Sequence, residues 1–246
     1  MRRRLLFSIM VVGAFVLTTV PGAVAKHEGA GEPKGPKKAE LFGSAQDDVD
    51  PQNTSNEVVS IDNTGSPAQF GGIRLKLGKK VQAPMLENEL ETKYFFVGRS
   101  CGGGSPRAQL AISLDGDKNS EGNAFGHYGP PFAFTGCVMN QWVYEDLTDN
   151  LNRWDLSQFA VECAALTGCI FPSPFVIPWD AVETFLAAFF PDHRILRASL
   201  VDDTFTGSPS GQGCAYYDLS SLGPQTVEDW KDTKGHKPDK GFTNNC

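Results

Sequence analysis

The sequence lacks the short motifs that mark common hydrolase and metalloenzyme sites. It contains no Gly-x-Ser-x-Gly turn for a serine nucleophile and no His-Glu-x-x-His pair for zinc. No Cys-x-x-Cys is present, and the four histidines are scattered at His27, His127, His193 and His236. The spacing of these residues therefore matches no zinc site. An enzymatic function has no motif to support it.

The sequence also lacks an apolar run long enough for a comfortable membrane span. The longest run, Leu5 to Val20, follows Arg2, Arg3 and Arg4 and precedes Ala23-Val24-Ala25. A positive start, a short apolar run and a small-x-small site are typical of a secretory signal peptide. We predict a signal peptide over 1–25, a protein that is secreted or on the exterior of the cell envelope, and no stable membrane span after cleavage. An uncleaved anchor is the alternative.

Positive charge is in short supply. The chain has 22 Lys plus Arg against 29 Asp plus Glu, a formal charge of −7. Loss of the three arginines of the signal peptide leaves 19 against 29, a formal charge of −10. Nucleic-acid binding needs a basic face for phosphate contacts, so we expect no nucleic-acid partner.

Six cysteines remain after cleavage, and an even count in an exported chain predicts disulfides. We predict Cys101–Cys137, because the two residues flank one hairpin-like unit. Cys163–Cys169 would close a tight loop. Cys214–Cys246 is the remaining pair and would hold down a tail with little apolar character. Other pairings stay open, because six cysteines can pair in many ways.

The chain divides by composition into four parts. After the signal peptide, 26–56 is rich in Gly, Pro and mixed charge, which predicts a disordered linker. Residues 57–230 contain many short alternating segments, such as Ala108–Leu114, which are typical of strands with one buried face. The last part, 231–246, is a polar tail ending in a cysteine.

One helix interrupts the strands near 179–190, between Pro178 and Pro191. Val182, Phe185 and Leu186 are spaced to share one face of it. Many short strands with a single short helix predict an all-β fold: one antiparallel β-sandwich of jelly-roll type.

A set of motifs carries a resemblance. Cys101-Gly-Gly-Gly-Ser-Pro-Arg107 precedes an alternating strand, and Gly126-His-Tyr-Gly-Pro130 and Phe134-Thr-Gly-Cys137 follow it. This set resembles a recurrent domain of exported bacterial proteins that has no established function. The stretch from Ile195 to Asp218 looks like the close of a carbohydrate-binding-module jelly roll. The resemblance covers about 94–220 and implies a sandwich whose last two strands pair in one sheet.

The loop after the alternating strand is dense in oxygen ligands. Asp115, Asp117, Asn119 and Glu121 fall on alternate positions, as at the start of a calcium loop. An EF-hand would need Gly at the sixth position and Glu at the twelfth, where this chain has Ser120 and Gly126. We therefore predict a Ca²⁺ site of another type, with a solvated hairpin tip as the alternative.

Aromatic side chains are candidates for stacking on a sugar ring. The candidates are Trp142, Tyr144, Trp154, Tyr128 and Tyr216. Trp142 and Tyr144 share a face if they belong to one strand. The alternative is that these rings line the core.

Three functions remain open. The first is an exported non-catalytic binding module for a glycan or a cell-surface component. The second is a structural or interaction protein of the cell envelope with no small ligand. The third is a glycan-active enzyme, for which Glu145-Asp146 and Asp202-Asp203 could supply the two carboxylates. Ser105 is a possible nucleophile, but no residue is assigned as its base.

Overall fold

Two antiparallel β-sheets form the architecture of this chain. The computed structural model describes residues 39–63, 69–78, 80–102, 105–130, 134–172, 176–203, 213–222, 226–227 and 236–246. The predicted signal peptide and residues 26–38 of the predicted linker lie outside the described residues.

The described residues form thirteen strands, two helices and two 3-10 turns. The strands are β1 (Glu40–Gly43), β2 (Ala45–Asp50), β3 (Asn53–Asp62), β4 (Phe70–Lys76), β5 (Leu90–Val97), β6 (Arg107–Ser113), β7 (Gly122–His127), β8 (Val143–Asp146), β9 (Trp154–Asp155), β10 (Val176–Ile177), β11 (Arg194–Asp203), β12 (Cys214–Leu222) and β13 (Thr226–Val227). The helices are α1 (Ala160–Ala164) and α2 (Trp179–Phe189), and the 3-10 turns are Ala83–Leu86 and Ser157–Phe159.

The two sheets divide these strands so that the chain crosses repeatedly between them. One sheet has seven strands in the order β1-β4-β11-β6-β7-β9-β10. The other has the order β2-β3-β12-β5-β8, with β13 paired to β12. The fold is thus all-β and sandwich-like, as predicted.

Alternation along the strands builds the core between the sheets. In β6, Ala108, Leu110 and Ile112 are buried in the main hydrophobic cluster, as their spacing predicts. Helix α2 begins after Pro178 and buries Val182 and Leu186 against the same cluster. The predicted helix is confirmed, and the five-residue α1 is an addition to it.

The predicted linker is wrong from residue 40 onward. Residues 40–56 contribute β1, β2 and the start of β3, with Leu41 and Ala45 buried. Strands at or near a sheet edge need few apolar residues, because backbone hydrogen bonds to a neighbour hold them. The described part of the tail assists, since Asp239 accepts a hydrogen bond from the Gly43 N–H at 2.6 Å.

The expected pairing of the last two long strands is also wrong. Strand β11 pairs with β4 and β6, whereas β12 pairs with β3 and β5 in the other sheet. The two strands face each other across the core, where the Tyr217 hydroxyl donates to Asp202. Their polar contact is therefore between the sheets and not along one of them.

The three disulfides are confirmed as Cys101–Cys137, Cys163–Cys169 and Cys214–Cys246. The third ties the terminal residue to β12. No helix among the described residues has the length and apolar character needed to cross a bilayer.

Candidate ligand groove on the seven-stranded sheet

The motif residues around Arg99 form a buried polar network. The Asp202 carboxylate accepts hydrogen bonds from Arg99 Nη1 at 2.8 and 2.9 Å and from Ser105 Oγ at 2.8 Å. It also accepts from Asn63 Nδ2 at 3.0 Å and from the Tyr217 hydroxyl. All five side chains are buried. These residues come from five separate segments, so the network joins the two sheets.

Electrostatics keeps this network in one charge state. Burial alone would lower the pKa of the Arg99 guanidinium, but the adjacent Asp202 carboxylate outweighs that effect and the pKa is raised. Burial and the same carboxylate raise the pKa of Tyr217 well above its ordinary value. Arg99 stays charged and Tyr217 stays protonated, and both donate to Asp202.

The glycines of the Gly126-His-Tyr-Gly-Pro130 motif make room for buried neighbours. A Cβ on Gly129, which has φ +95°, would lie 2.6 Å from Cys137 Sγ and 2.8 Å from Cys101 Sγ. A Cβ on Gly126 would lie 2.7 Å from the Trp154 ring. The motifs that carry the resemblance thus meet around one disulfide and serve packing.

A second, partly buried network engages Glu145, one of the carboxylates considered for catalysis. Glu145 accepts hydrogen bonds from the Tyr94 hydroxyl at 2.8 Å and from the Gly129 N–H at 2.8 Å. Arg153 pairs with it at 3.4 Å. The neighbouring Asp146 accepts from the Thr148 backbone and hydroxyl. These contacts tie both carboxylates to the local structure.

Three of the five aromatic candidates for ligand binding are buried, and for them the prediction is wrong. Trp154 is 0% exposed, donates from Nε1 to the Leu147 carbonyl at 2.7 Å and packs on Trp179. Tyr128 is also 0% exposed and lies beside Tyr94. Large aromatic side chains in the centre of a sandwich fill the space between sheets, so these rings are core residues. Tyr216 is 7% exposed and packs with Val58 and Phe95 in a small cluster of its own.

Trp142 and Tyr144 lie on the outer side of the second sheet and differ in exposure. Trp142 is half-buried, 5.5 Å from the Phe95 ring, and donates from Nε1 to Asp50 at 3.2 Å. Tyr144 is 53% exposed. Desolvation and a hydrogen bond to Glu91 raise the pKa of Tyr144 to about 12. One exposed ring is present here, with a partly packed one before it.

The outer face of the seven-stranded sheet carries a groove that sequence reasoning missed. Its floor runs along β11, where Ser199 lies opposite Arg74 of β4 on one side and Gln109 of β6 on the other. The small Ser199 side chain lies between the longer side chains of its two neighbours. A groove with a volume of about 270 Å³ results.

Two phenylalanines form one wall of the groove. Phe42 of β1 lies against Gly72, where a Cβ would come within 2.6 Å of the ring. Phe70 of β4 is 45% exposed, and its ring centroid is 6.3 Å from that of Phe42. Charged and polar side chains and one valine complete the lining: Arg74, Arg107, Gln109, Arg197, Ser199, Val201 and Asp203.

The groove carries a positive balance of charge, with three arginines and one aspartate in its lining. Arg74 pairs with Glu40 at 3.1 Å, and Arg107 pairs with Asp203 at 2.8 Å. No carboxylate in the described parts of the chain lies within ion-pair distance of Arg197. A side chain with an open guanidinium therefore faces the groove.

Three of the four predicted calcium ligands are carboxylates that lie close together. Ligand atoms of Asp115, Asp117 and Glu121 lie within 4.8 Å of one another, and all three residues are exposed. Asn119 donates from its side-chain amide to Asp117 at 2.7 Å. Hydrogen bonds from Asn119, through its backbone N–H first, lower the pKa of Asp117. Ca²⁺ binding at this loop stays a prediction.

The signal for the groove is present in the sequence but spread over distant segments. Polar residues alternate as Arg107 and Gln109 in β6 and as Arg197 and Ser199 in β11. Alternation shows that these residues share a face of their own strand. It does not show that β6 and β11 are neighbours, and the groove exists only because they are.

Comparison of the chain with protein-family models, with curated proteins and with solved structures gave no match.

Proposed function

We propose that the chain is an exported, non-catalytic binding module for a glycan or another cell-surface ligand, and that the ligand lies in the outer groove. The groove supports this proposal because it combines two aromatic rings with hydrogen-bonding side chains in a concave surface. Rings stack on the apolar face of a sugar, and the polar groups meet its hydroxyls. The three disulfides support export, because disulfides persist in oxidising compartments.

An interaction protein of the cell envelope is the second candidate. The observation in its favour is that apolar side chains on either side of the Cys163–Cys169 loop are exposed, Val161 by 77% and Ile170 by 78%. Where such side chains form a contiguous patch, the patch is typical of a protein contact site. The enzyme alternative has no comparable observation, because Glu145 and Asp202 are held by structural partners.

A glycan array with the mature chain, residues 26–246, tests the proposal. The variant Ser199→Trp fills the groove floor, and Tyr144→Ala removes the exposed ring of the other sheet as a matched control. We expect wild type and Tyr144→Ala to bind the same glycans with the same affinity. Ser199→Trp should bind them about tenfold or more weakly, because its side chain occupies the place of the ligand. Melting temperatures check that each variant is folded.

Two outcomes contradict the proposal in different ways. Loss of binding in Tyr144→Ala but not in Ser199→Trp would move the site to the second sheet. Binding of wild type to none of the glycans would favour the interaction protein.

A further inference from the structure

We infer that the ligand of the outer groove carries a carboxylate, as in a saccharide built from uronic acids, and that Arg197 is the residue that binds this group. The inference rests on the proposed function and names the ligand class of the same site.

The first observation is the contrast between the groove and the rest of the chain. The full chain has a formal charge of −7, whereas the groove lining has three arginines and one aspartate. Two of these arginines have carboxylate partners, because Arg74 pairs with Glu40 and Arg107 with Asp203. The positive charge that remains is that of Arg197, and a site of one sign within a surface of the other sign attracts a ligand of complementary charge.

The second observation concerns the strand beside Arg197. In the register of β11 and β4, Arg197 lies directly opposite Lys76, so two positive side chains are neighbours on one face. Like charges directly opposite in a sheet are destabilising. An anion bound between them removes that repulsion, which is a free-energy gain on binding that a neutral ligand does not provide.

The geometry of the Arg197 guanidinium favours a carboxylate on a sugar. A guanidinium presents its donors in a planar fork that matches the two oxygens of a carboxylate. Ser199 and Gln109 lie beside Arg197 on the groove floor and offer hydroxyl and amide groups. Phe42 and Phe70 form the apolar wall. Rings, neutral polar groups and one open cation together match an acidic saccharide better than a simple inorganic anion.

Isothermal titration with oligogalacturonate and with the same oligosaccharide after reduction of its carboxyl groups tests the inference. The two probes differ only at C6 of each sugar, which carries a carboxylate in one and a hydroxymethyl group in the other, and sulfated dextran is the third probe. We expect oligogalacturonate to bind at least about tenfold more tightly than its reduced form, the effect expected for one charged hydrogen-bonded pair. Its affinity should fall as salt is raised, because salt screens exposed charges.

Protein variants assign the effect to the groove. Arg197→Gln should weaken oligogalacturonate binding by about tenfold and leave the reduced form unchanged. Lys93→Gln removes one positive charge from the outer face of the other sheet, opposite Tyr144, and should change neither affinity. The melting temperature of Lys93→Gln should match wild type, and that of Arg197→Gln should equal or slightly exceed it, because the substitution removes the repulsion with Lys76.

The outcomes separate this inference from the proposed function. Equal binding of both oligosaccharides, or no effect of Arg197→Gln, would overturn the carboxylate and leave the groove as a glycan site. Binding to sulfated dextran alone would assign the anion to a sulfate ester and overturn the carboxylate. If none of the three probes binds while a neutral glycan on the array does, the inference fails and the proposed function stands. If no glycan of any kind binds, both fail.

Discussion

Asp202 and Asp203 are neighbours at the end of β11, and each forms a 2.8 Å ion pair with an arginine. Because side chains alternate along a strand, Asp202 points into the sandwich toward Arg99, and Asp203 points out toward Arg107 in the groove. The inner side chains are 0% and 1% exposed, and the outer ones 33% and 21%. Two pairs of the same chemistry thus stand in opposite environments.

The difference shows that the number of hydrogen-bond partners and the exposure to water determine how much an ion pair contributes to stability. The inner carboxylate has four side-chain donors, from Arg99, Ser105, Asn63 and Tyr217, and is 0% exposed to solvent. The outer pair is partly solvated, so either charge can change partner at little cost. The inner pair connects segments of both sheets, whereas the outer pair lines the groove and is partly exposed.

Asp202→Asn should have the largest effect. The substitution keeps the shape, removes the charge that compensates Arg99, and turns one acceptor into a donor facing other donors. Breaking one side of a buried ion pair costs about 3–5 kcal/mol of the free energy of unfolding. Urea denaturation of the mature chain measures this loss, or the variant fails to fold. A loss below about 1 kcal/mol would show that the network is solvated and that the contrast with Asp203 does not hold.

Ser105→Ala should have the next largest effect, because Ser105 connects the two aspartates. Its hydroxyl donates to Asp202 at 2.8 Å and accepts from the Asp203 N–H at 2.9 Å. Removing it leaves a buried donor and acceptor with one partner fewer, at a cost of about 1–3 kcal/mol. Ser199→Ala, on the groove floor, is the matched control and should stay within about 0.5 kcal/mol of wild type. Equal urea midpoints for Ser105→Ala and Ser199→Ala would contradict the conclusion that the Ser105 hydroxyl stabilises the network around Asp202.

Local pattern predicted the elements of this fold well. Alternation located the core positions of β6, proline and apolar spacing located α2, and cysteine count with chain position predicted all three disulfides. Each of these signals lies within a short segment or depends on only two residues. Where one segment determines the structure, sequence reasoning can read it.

Long-range adjacency accounts for what the sequence did not reveal. Strands β1 and β2 lie in a polar segment and exist because β4 and β3 pair with them. The groove needs Arg74, Arg107 and Arg197, which come from strands that are distant in sequence. Trp154 was predicted to bind a ligand because nothing in the sequence around it shows that Trp179 and Gly126 pack against its ring.

Ca²⁺ binding at the acidic loop should change the free energy of unfolding by an amount between those of the buried and the exposed ion pairs. Asp115, Asp117 and Glu121 are exposed and close together, so Ca²⁺ binding would relieve their repulsion. At a tenfold excess over Kd, binding to the native state alone raises stability by about 1.4 kcal/mol. We expect the melting temperature to be higher in millimolar Ca²⁺ than in chelator, and Asp117→Ala to abolish the difference. Identical melting curves for wild type would identify the loop as a solvated hairpin tip.

His193 is a buried imidazole whose protonation should make stability depend on pH. Its Nε2 accepts from the Ala83 N–H at 3.1 Å, and its Nδ1 contacts the Phe190 carbonyl at 2.8 Å. Burial lowers the pKa of His193, so the folded chain takes up a proton at lower pH than the unfolded chain does. Stability is therefore full above the unfolded pKa of about 6.5 and falls as pH decreases toward the folded value.

Urea titrations between pH 7.5 and pH 5 measure this dependence for wild type and for His193→Gln. Glutamine can accept from Ala83 and donate to Phe190 without titrating in this range. The difference in stability between the two proteins should shift against wild type as pH falls. Parallel curves would show that His193 has the same pKa in both states.

Asp203→Asn should have the smallest effect on stability and completes the comparison with Asp202→Asn. The substitution is the same, one residue further along β11, but the partner Arg107 remains in contact with water. Exposed pairs contribute roughly 0–1 kcal/mol, so the urea midpoint should change little. The groove loses its one acidic lining residue and Arg107 loses its counter-charge, so affinity for oligogalacturonate should rise by several-fold, in line with an electrostatic term of the same size. A variant as destabilised as Asp202→Asn would show that exposure does not distinguish the two pairs. Unchanged stability with weaker binding would instead make Asp203 a direct ligand contact, because the loss of a like charge can only strengthen the attraction of an anion.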